Sequence, residues 1–168
     1  MPHPLVLALF DNAASAATAA RDLRALGVAR ERVSIVARSH DEEGQLAKVS
    51  GGSPGSEIED SARASRLGEL GGHLLAAIAL VMPGIGPIVA DGPLAAGLGE
   101  AAGHLAGGIT HTLENAGLSS AEAKEWEADI DRGWFLIGAH VTADTVEAAR
   151  GVVTAAGAIR VANGIWQE

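Results

Sequence analysis

Leu5-Val6-Leu7-Ala8-Leu9-Phe10, then Asp11-Asn12, then an alanine-rich stretch to Leu26 and Gly27: on this segment the reading of the fold turns. A run that is apolar at every position has no face for water, so it reads as a short strand covered on both sides. Asn12 supplies a side-chain oxygen for the unpaired amides of a helix start. Ala13 to Leu26 is rich in Ala, Arg and Leu, which favour helix. Gly27 stands where a left-handed residue stops it. Val33-Ser34-Ile35-Val36-Ala37-Arg38 then alternates as a half-buried strand does. Residues 1–38 therefore read as a β-α-β unit.

The same pattern returns at the other end of the chain. Gly133-Trp134-Phe135-Leu136-Ile137-Gly138-Ala139-His140-Val141 is a second strand apolar on both faces. Thr142 is expected to cap a helix running through Ala156, with Asp144 well placed in its first turn. Gly157 ends that helix, and Ala158 to Asn163 alternates like an edge strand. One offset carries Leu5 to Phe135, Asn12 to Thr142 and Gly27 to Gly157, so residues 132–168 repeat the first unit in pattern. Two successive β-α-β units specify an α+β fold, the ferredoxin-like sandwich, a four-stranded antiparallel sheet with two helices on one face. In that topology the first and third strands are central and the second and fourth are edges, which agrees with their apolar patterns.

Between the halves lies a long insertion. Residues 39–66, with Asp41-Glu42-Glu43 and Gly51-Gly52-Ser53-Pro54-Gly55-Ser56, have the composition of an acidic flexible linker. Residues 67–131 read as an inserted apolar helical hairpin plus a short polar helix. Leu67 to Met82 is expected as one helix, Pro83-Gly84-Ile85-Gly86-Pro87 as its break, and Leu94 to Leu113 as the second. Ser119-Ser120-Ala121-Glu122 has the form of a capping box for a charged helix ending near Asp131.

Composition narrows the function. The 168 residues include no Cys, which removes disulfides, cysteine-ligated metals and cysteine nucleophiles. A net charge of −9 argues against nucleic acid as a partner. Met1-Pro2-His3-Pro4 carries no basic leader region, so a cytoplasmic location is expected. Gly84-Ile85-Gly86-Pro87 holds a G-x-G, but without the strand before it or the third glycine that a nucleotide loop needs.

Several phrases carry a resemblance. Leu7-Ala8-Leu9-Phe10-Asp11-Asn12 with its alanine-rich helix, Val33-Ser34-Ile35-Val36-Ala37, Met82-Pro83-Gly84-Ile85-Gly86-Pro87-Ile88-Val89-Ala90-Asp91-Gly92-Pro93-Leu94 and Gly133-Trp134-Phe135-Leu136-Ile137 are similar to the bacterial general stress proteins, the heat-induced group with a hydrophobic Gly/Pro-rich central hairpin. The resemblance extends over nearly the whole chain. It implies a stress-response protein of undefined biochemical activity and supplies no catalytic residues.

The chemistry-bearing residues are few. Glu69 and His73, and again Glu100 and His104, each set a carboxylate and an imidazole on one helix face. Facing helices bearing such pairs can build a metal site, so these four are the candidate ligands; His111 and Glu114 extend the stripe. His40 reads as solvated and His140 as a satisfied structural residue. Trp126, Trp134 and Trp166 read as core or interface anchors. The run Glu122, Glu125, Glu127, Asp129 and Asp131 reads as one exposed acidic face. No Ser/His/Asp grouping, nucleotide fingerprint or cofactor lysine stands in a catalytic setting, and no cofactor or small-molecule substrate is implied. The leading expectation is a non-enzymatic, self-associating homo-oligomer built through the Gly/Pro hairpin, whose glycines allow close helix approach. Membrane association through the hairpin and metal binding through the Glu/His stripe are the alternatives.

Overall fold

The computed structural model describes residues 2–38, 78–82, 86–102 and 108–167. The chain runs β1 (His3–Phe10), α1 (Ala13–Ala25), a 3-10 turn (Arg30–Arg32), β2 (Val33–Arg38), β3 (Ile78–Met82), β4 (Gly86–Asp91), α2 (Pro93–Ala102), α3 (Gly108–Asn115), α4 (Ser120–Asp131), β5 (Phe135–His140), α5 (Val146–Ala155) and β6 (Arg160–Trp166). The fold is α+β, with one antiparallel sheet in the order β3-β4-β2-β5-β1-β6.

Local sequence explains most of these elements. Asn12 Oδ1 accepts from Ser15 N–H at 2.8 Å and starts α1. Gly27 and Gly157 end α1 and α5 at φ +101° and +97°. In both, the next amide reaches back to close the last turn, Val28 N–H to Leu23 O and Ala158 N–H to Val153 O. Ser119 and Glu122 form the expected reciprocal capping box of α4. The hydrogen bonds from Ser119 also hold the Glu122 carboxyl below the ordinary carboxylate range. The cap expected at Thr142 is displaced: α5 begins at Val146, after a turn in which Thr145 Oγ1 donates to Thr142 O at 3.0 Å. Thr142 and Asp144 belong to that turn, and the hydroxyl of Thr142 lowers the Asp144 carboxyl from its usual range.

The sheet corrects the expected fold in three places. It has six strands, not four, because β3 and β4 extend it. Ile78–Met82, expected as the end of a helix, is a strand, and Gly86–Asp91 is its hairpin partner, with Met82 opposite Gly86. The charge-free run from Leu74 to Ala90 suits a buried helix or a buried strand equally. The β-branched Ile78, Val81, Ile88 and Val89, with Pro83 and Gly84 in the sequence between them, tip it to strand. The described residues of the second expected helix fall in α2 and α3, and residues 103–107 between them lie outside the described residues. Third, β2 is not an edge. It pairs with β5 on one side and β4 on the other, and Val33 to Ala37 are buried. The acidic linker 39–66 and the expected helix from Leu67 to residue 77 lie outside the described residues.

Both faces of the sheet are covered by the chain's own helices. Val6, Ala8 and Phe10 of β1 point to α1 and α5, meeting Ala13, Ala16, Ala20, Leu23, Ala149 and Val153. Leu5, Leu7 and Leu9 point the other way, to Leu94, Leu98, Ile109, Leu113, Trp126 and Ile130 of α2, α3 and α4. This is why the first strand is apolar at every position: alternation sends its residues to two different cores. Trp126 and Trp166 are buried in the second core, and Trp134 packs against it, so the tryptophans are anchors.

Candidate functional site

The face beneath α2 carries a row of polar side chains at one end of the sheet. Register places them. Ser34 on β2 stands opposite Gly138 on β5, and His140, two residues on from Gly138, lies diagonally across from Ser34 on the same face. Leu5 of β1 stands opposite His140, which puts His3 on the other diagonal. Trp166 of β6 stands opposite His3. Four strands thus contribute Ser34, His140, His3 and Trp166 to one line.

The side chains are joined. Leu94 N–H, in the first turn of α2, donates to Ser34 Oγ at 3.0 Å. Ser34 Oγ and His140 Nε2 are 3.0 Å apart, and His140 Nδ1 and His3 Nε2 are 2.9 Å apart. The Trp166 ring meets His140 nearly perpendicular, with centroids 5.7 Å apart. Two glycines let the helix start this close. A Cβ on Gly138 would lie 2.8 Å from Leu94 Cδ1. On Gly92, whose φ is +80°, it would lie 2.5 Å from Val33 O. Ser34 therefore caps α2 from a neighbouring strand, filling a role that the local sequence of α2 leaves open.

His140 is 1% exposed and Ser34 is fully buried. Burial, then the charges of His3 and Arg32, push the His140 pKa down to about 3, so the ring is neutral at pH 7. The order of atoms, serine Oγ to imidazole Nε2 and Nδ1 to a third group, is that of a nucleophilic triad. Access is what such a triad needs and this chain lacks among the described residues. The cavity on this face, lined by Val36, Leu94, Leu98, Ile109 and Leu136 among others, holds about 10 Å³, room for at most one water. The arrangement can hold and redistribute protons.

The acidic helix is less exposed than its composition implies. Asp129 is 2% exposed, and Arg132 donates to it at 2.6 Å while Arg160 Nε lies 2.9 Å away. Arg160 also reaches Glu125 at 2.9 Å, and Arg38 reaches Asp131 at 3.0 Å. Glu127 accepts from both the amide and the hydroxyl of Thr110. These contacts tie α4 to β2, β6 and α3, so the expected solvated stripe is in part a set of anchors.

Of the four candidate metal ligands, Glu69, His73 and His104 lie outside the described residues. Glu100 falls in α2. His111 bonds to Asn115 on the surface and Glu114 accepts from Ser120. Among the described residues no group of three or more potential ligands comes together. The residues that do come together, Ser34 and His3, were not singled out by sequence reading. A detectable signal was present: one hydroxyl and one imidazole interrupt strands otherwise apolar on both faces, and buried polar groups need partners. No family model, no curated protein and no solved structure matches this chain.

Proposed function

We propose that this chain is a non-enzymatic, self-associating protein whose Gly/Pro-rich segment is the assembly element, working as a strand edge and not as a helical hairpin. The observation that carries the reading is the position of β3. It is the last strand of the sheet, paired on one side with β4 among the described residues, and its sequence Ile78-Ala79-Leu80-Val81-Met82 has no charge to discourage pairing. A second copy of β3 laid antiparallel on that edge would pair the outer amides and carbonyls that meet no strand among the described residues and continue the sheet across a two-fold axis. The two β-α-β units, with strands in the order β2-β5-β1-β6, support a ferredoxin-like core onto which the β3-β4 hairpin has been added. The buried state of Ser34 and His140 supports the non-enzymatic reading. A stress-linked role rests on the sequence resemblance alone.

The absence of native cysteine makes a direct test simple. Single cysteines placed in turn at Ile78, Ala79, Leu80, Val81 and Met82 are expected to give interchain disulfides under mild oxidation. The yield should peak at the position nearest the two-fold axis and fall off on either side. Equal, low yields at all five positions, matching a cysteine on the exposed face of α4, would overturn the reading. Association that requires detergent-free vesicles would instead favour the membrane alternative. Among the described residues no helix is long and apolar enough to cross a membrane.

A further inference from the structure

The Ser34–His140–His3 chain has a property that follows from counting its hydrogens. Among the described residues Ser34 Oγ meets two partners, Leu94 N–H and His140 Nε2. With the Leu94 amide donating to the oxygen, the serine hydrogen has one acceptor in reach, His140 Nε2. That places the His140 hydrogen on Nδ1, donating to His3 Nε2 across 2.9 Å. In this arrangement the Leu94 amide, the Ser34 hydroxyl and His140 Nδ1–H each have an acceptor.

We infer that His3 and His140 form a proton-coupled tautomer switch, in which protonation of His3 at the strand end moves the hydrogen of buried His140 from Nδ1 to Nε2 and turns the Ser34 hydroxyl beneath the start of α2. His3 is half-buried at the end of β1, whereas His140 is enclosed in the sheet, so a charge is hydrated at His3 and not at His140. When His3 is an imidazolium, its Nε2 is a donor. His140 Nδ1 must then accept, so its hydrogen moves to Nε2 and is donated to Ser34 Oγ. The oxygen now receives two donors, Leu94 N–H and His140 Nε2–H, and its own hydrogen leaves the line. A second proton on His140 has no place, because it would set N–H against N–H across 2.9 Å.

The surroundings oppose a cation on His140. Arg32, from the 3-10 turn, and His3, from β1, both work against a cation on His140. Asp91, on β4, sits in register with Ile35, on the far side of the sheet from Ser34, and its carboxylate accepts from Gly92 N–H at 2.8 Å. The first residues of α2, Pro93 to Leu98, bring no charge, and Trp166 offers a perpendicular ring. A signal at an accessible imidazole is therefore carried through a neutral one to the helix that covers the sheet.

Long-range proton–nitrogen NMR of the full chain, labelled with ¹⁵N at its histidines, tests this. The two His140 nitrogens are expected to exchange roles as the sample is acidified, Nδ1 changing from protonated to bare and Nε2 the reverse. The exchange should follow the same midpoint at which His3 becomes an imidazolium, and His3→Gln should abolish it over that range. A His140 tautomer that stays fixed while His3 titrates would overturn the inference. So would the same exchange in His3→Gln.

Discussion

His140 makes stability depend on acid in a direction that can be worked out. Its pKa falls from 6.5 in the unfolded chain to about 3 in the fold, chiefly because burial penalises the cation. Above pH 6.5 both states hold the ring neutral and its contribution is complete. As pH falls below 6.5 the unfolded chain takes up a proton that the fold refuses, and stability drops by about 1.4 kcal/mol per pH unit until the folded ring also titrates. Urea unfolding of the wild type and of His140→Gln, compared between pH 7 and pH 5, should show the steeper loss in the wild type. Parallel pH profiles for the two would show that His140 is not held neutral. Ser34 illustrates what sequence reading passes over at this scale. In Val33-Ser34-Ile35 it looks like one polar member of an alternating strand, yet it faces the second core and caps a helix some sixty residues away.

At the scale of elements, the two β-α-β halves were legible because their signals are local. Asn12, Gly27, Gly157 and the Ser119–Glu122 box act within one turn of helix, and the structure finds all four in the same residues; of the expected helix starts only Thr142 is displaced. The middle of the chain was not legible, because a charge-free run has no periodic contrast and only its neighbours decide between strand and helix. That choice has a long reach: with β3 and β4 as strands, β2 ceases to be an edge and its expected polar face disappears. Of the candidate ligands, Glu69, His73 and His104 lie outside the described residues. The other edge is managed differently. Just before β6, Ile159 N–H also reaches Leu9 O, at 2.8 Å, tying the start of the strand to β1. Further along, Ile165 N–H turns outward and is taken by Ala116 O at 2.9 Å. A Cβ on Gly164 would lie 1.9 Å from that carbonyl oxygen. Gly164→Ala is therefore expected to push the turn after α3 off β6 and to destabilise the protein by about 1–3 kcal/mol. Amide exchange at Ile165 should accelerate in the variant; unchanged protection there would show that the turn does not guard the edge.

For the whole molecule, the distribution of covered and open surfaces decides what kind of assembly is available. Helices from the same chain cover both faces of the sheet, so the apolar strands need no partner to bury them. Of the glycines expected to mediate helix–helix association, Gly97 faces the chain's own core, its Cβ position 3.0 Å from Trp166. What remains for self-association is a sheet edge. One edge is covered at Ile165 by Ala116, while the other ends in five apolar residues. A sheet with one edge open among the described residues would pair once and stop, so the proposed assembly is a closed dimer and not a fibre. The most direct test is the molar mass in solution, by light scattering on the full chain purified without detergent, for the wild type and for Leu80→Lys. The account predicts a sharp species of twice the chain mass for the wild type and a folded species of one chain mass once a charge is placed in β3. A wild type that is monomeric at micromolar concentration, or a dimer that Leu80→Lys leaves intact, would contradict it.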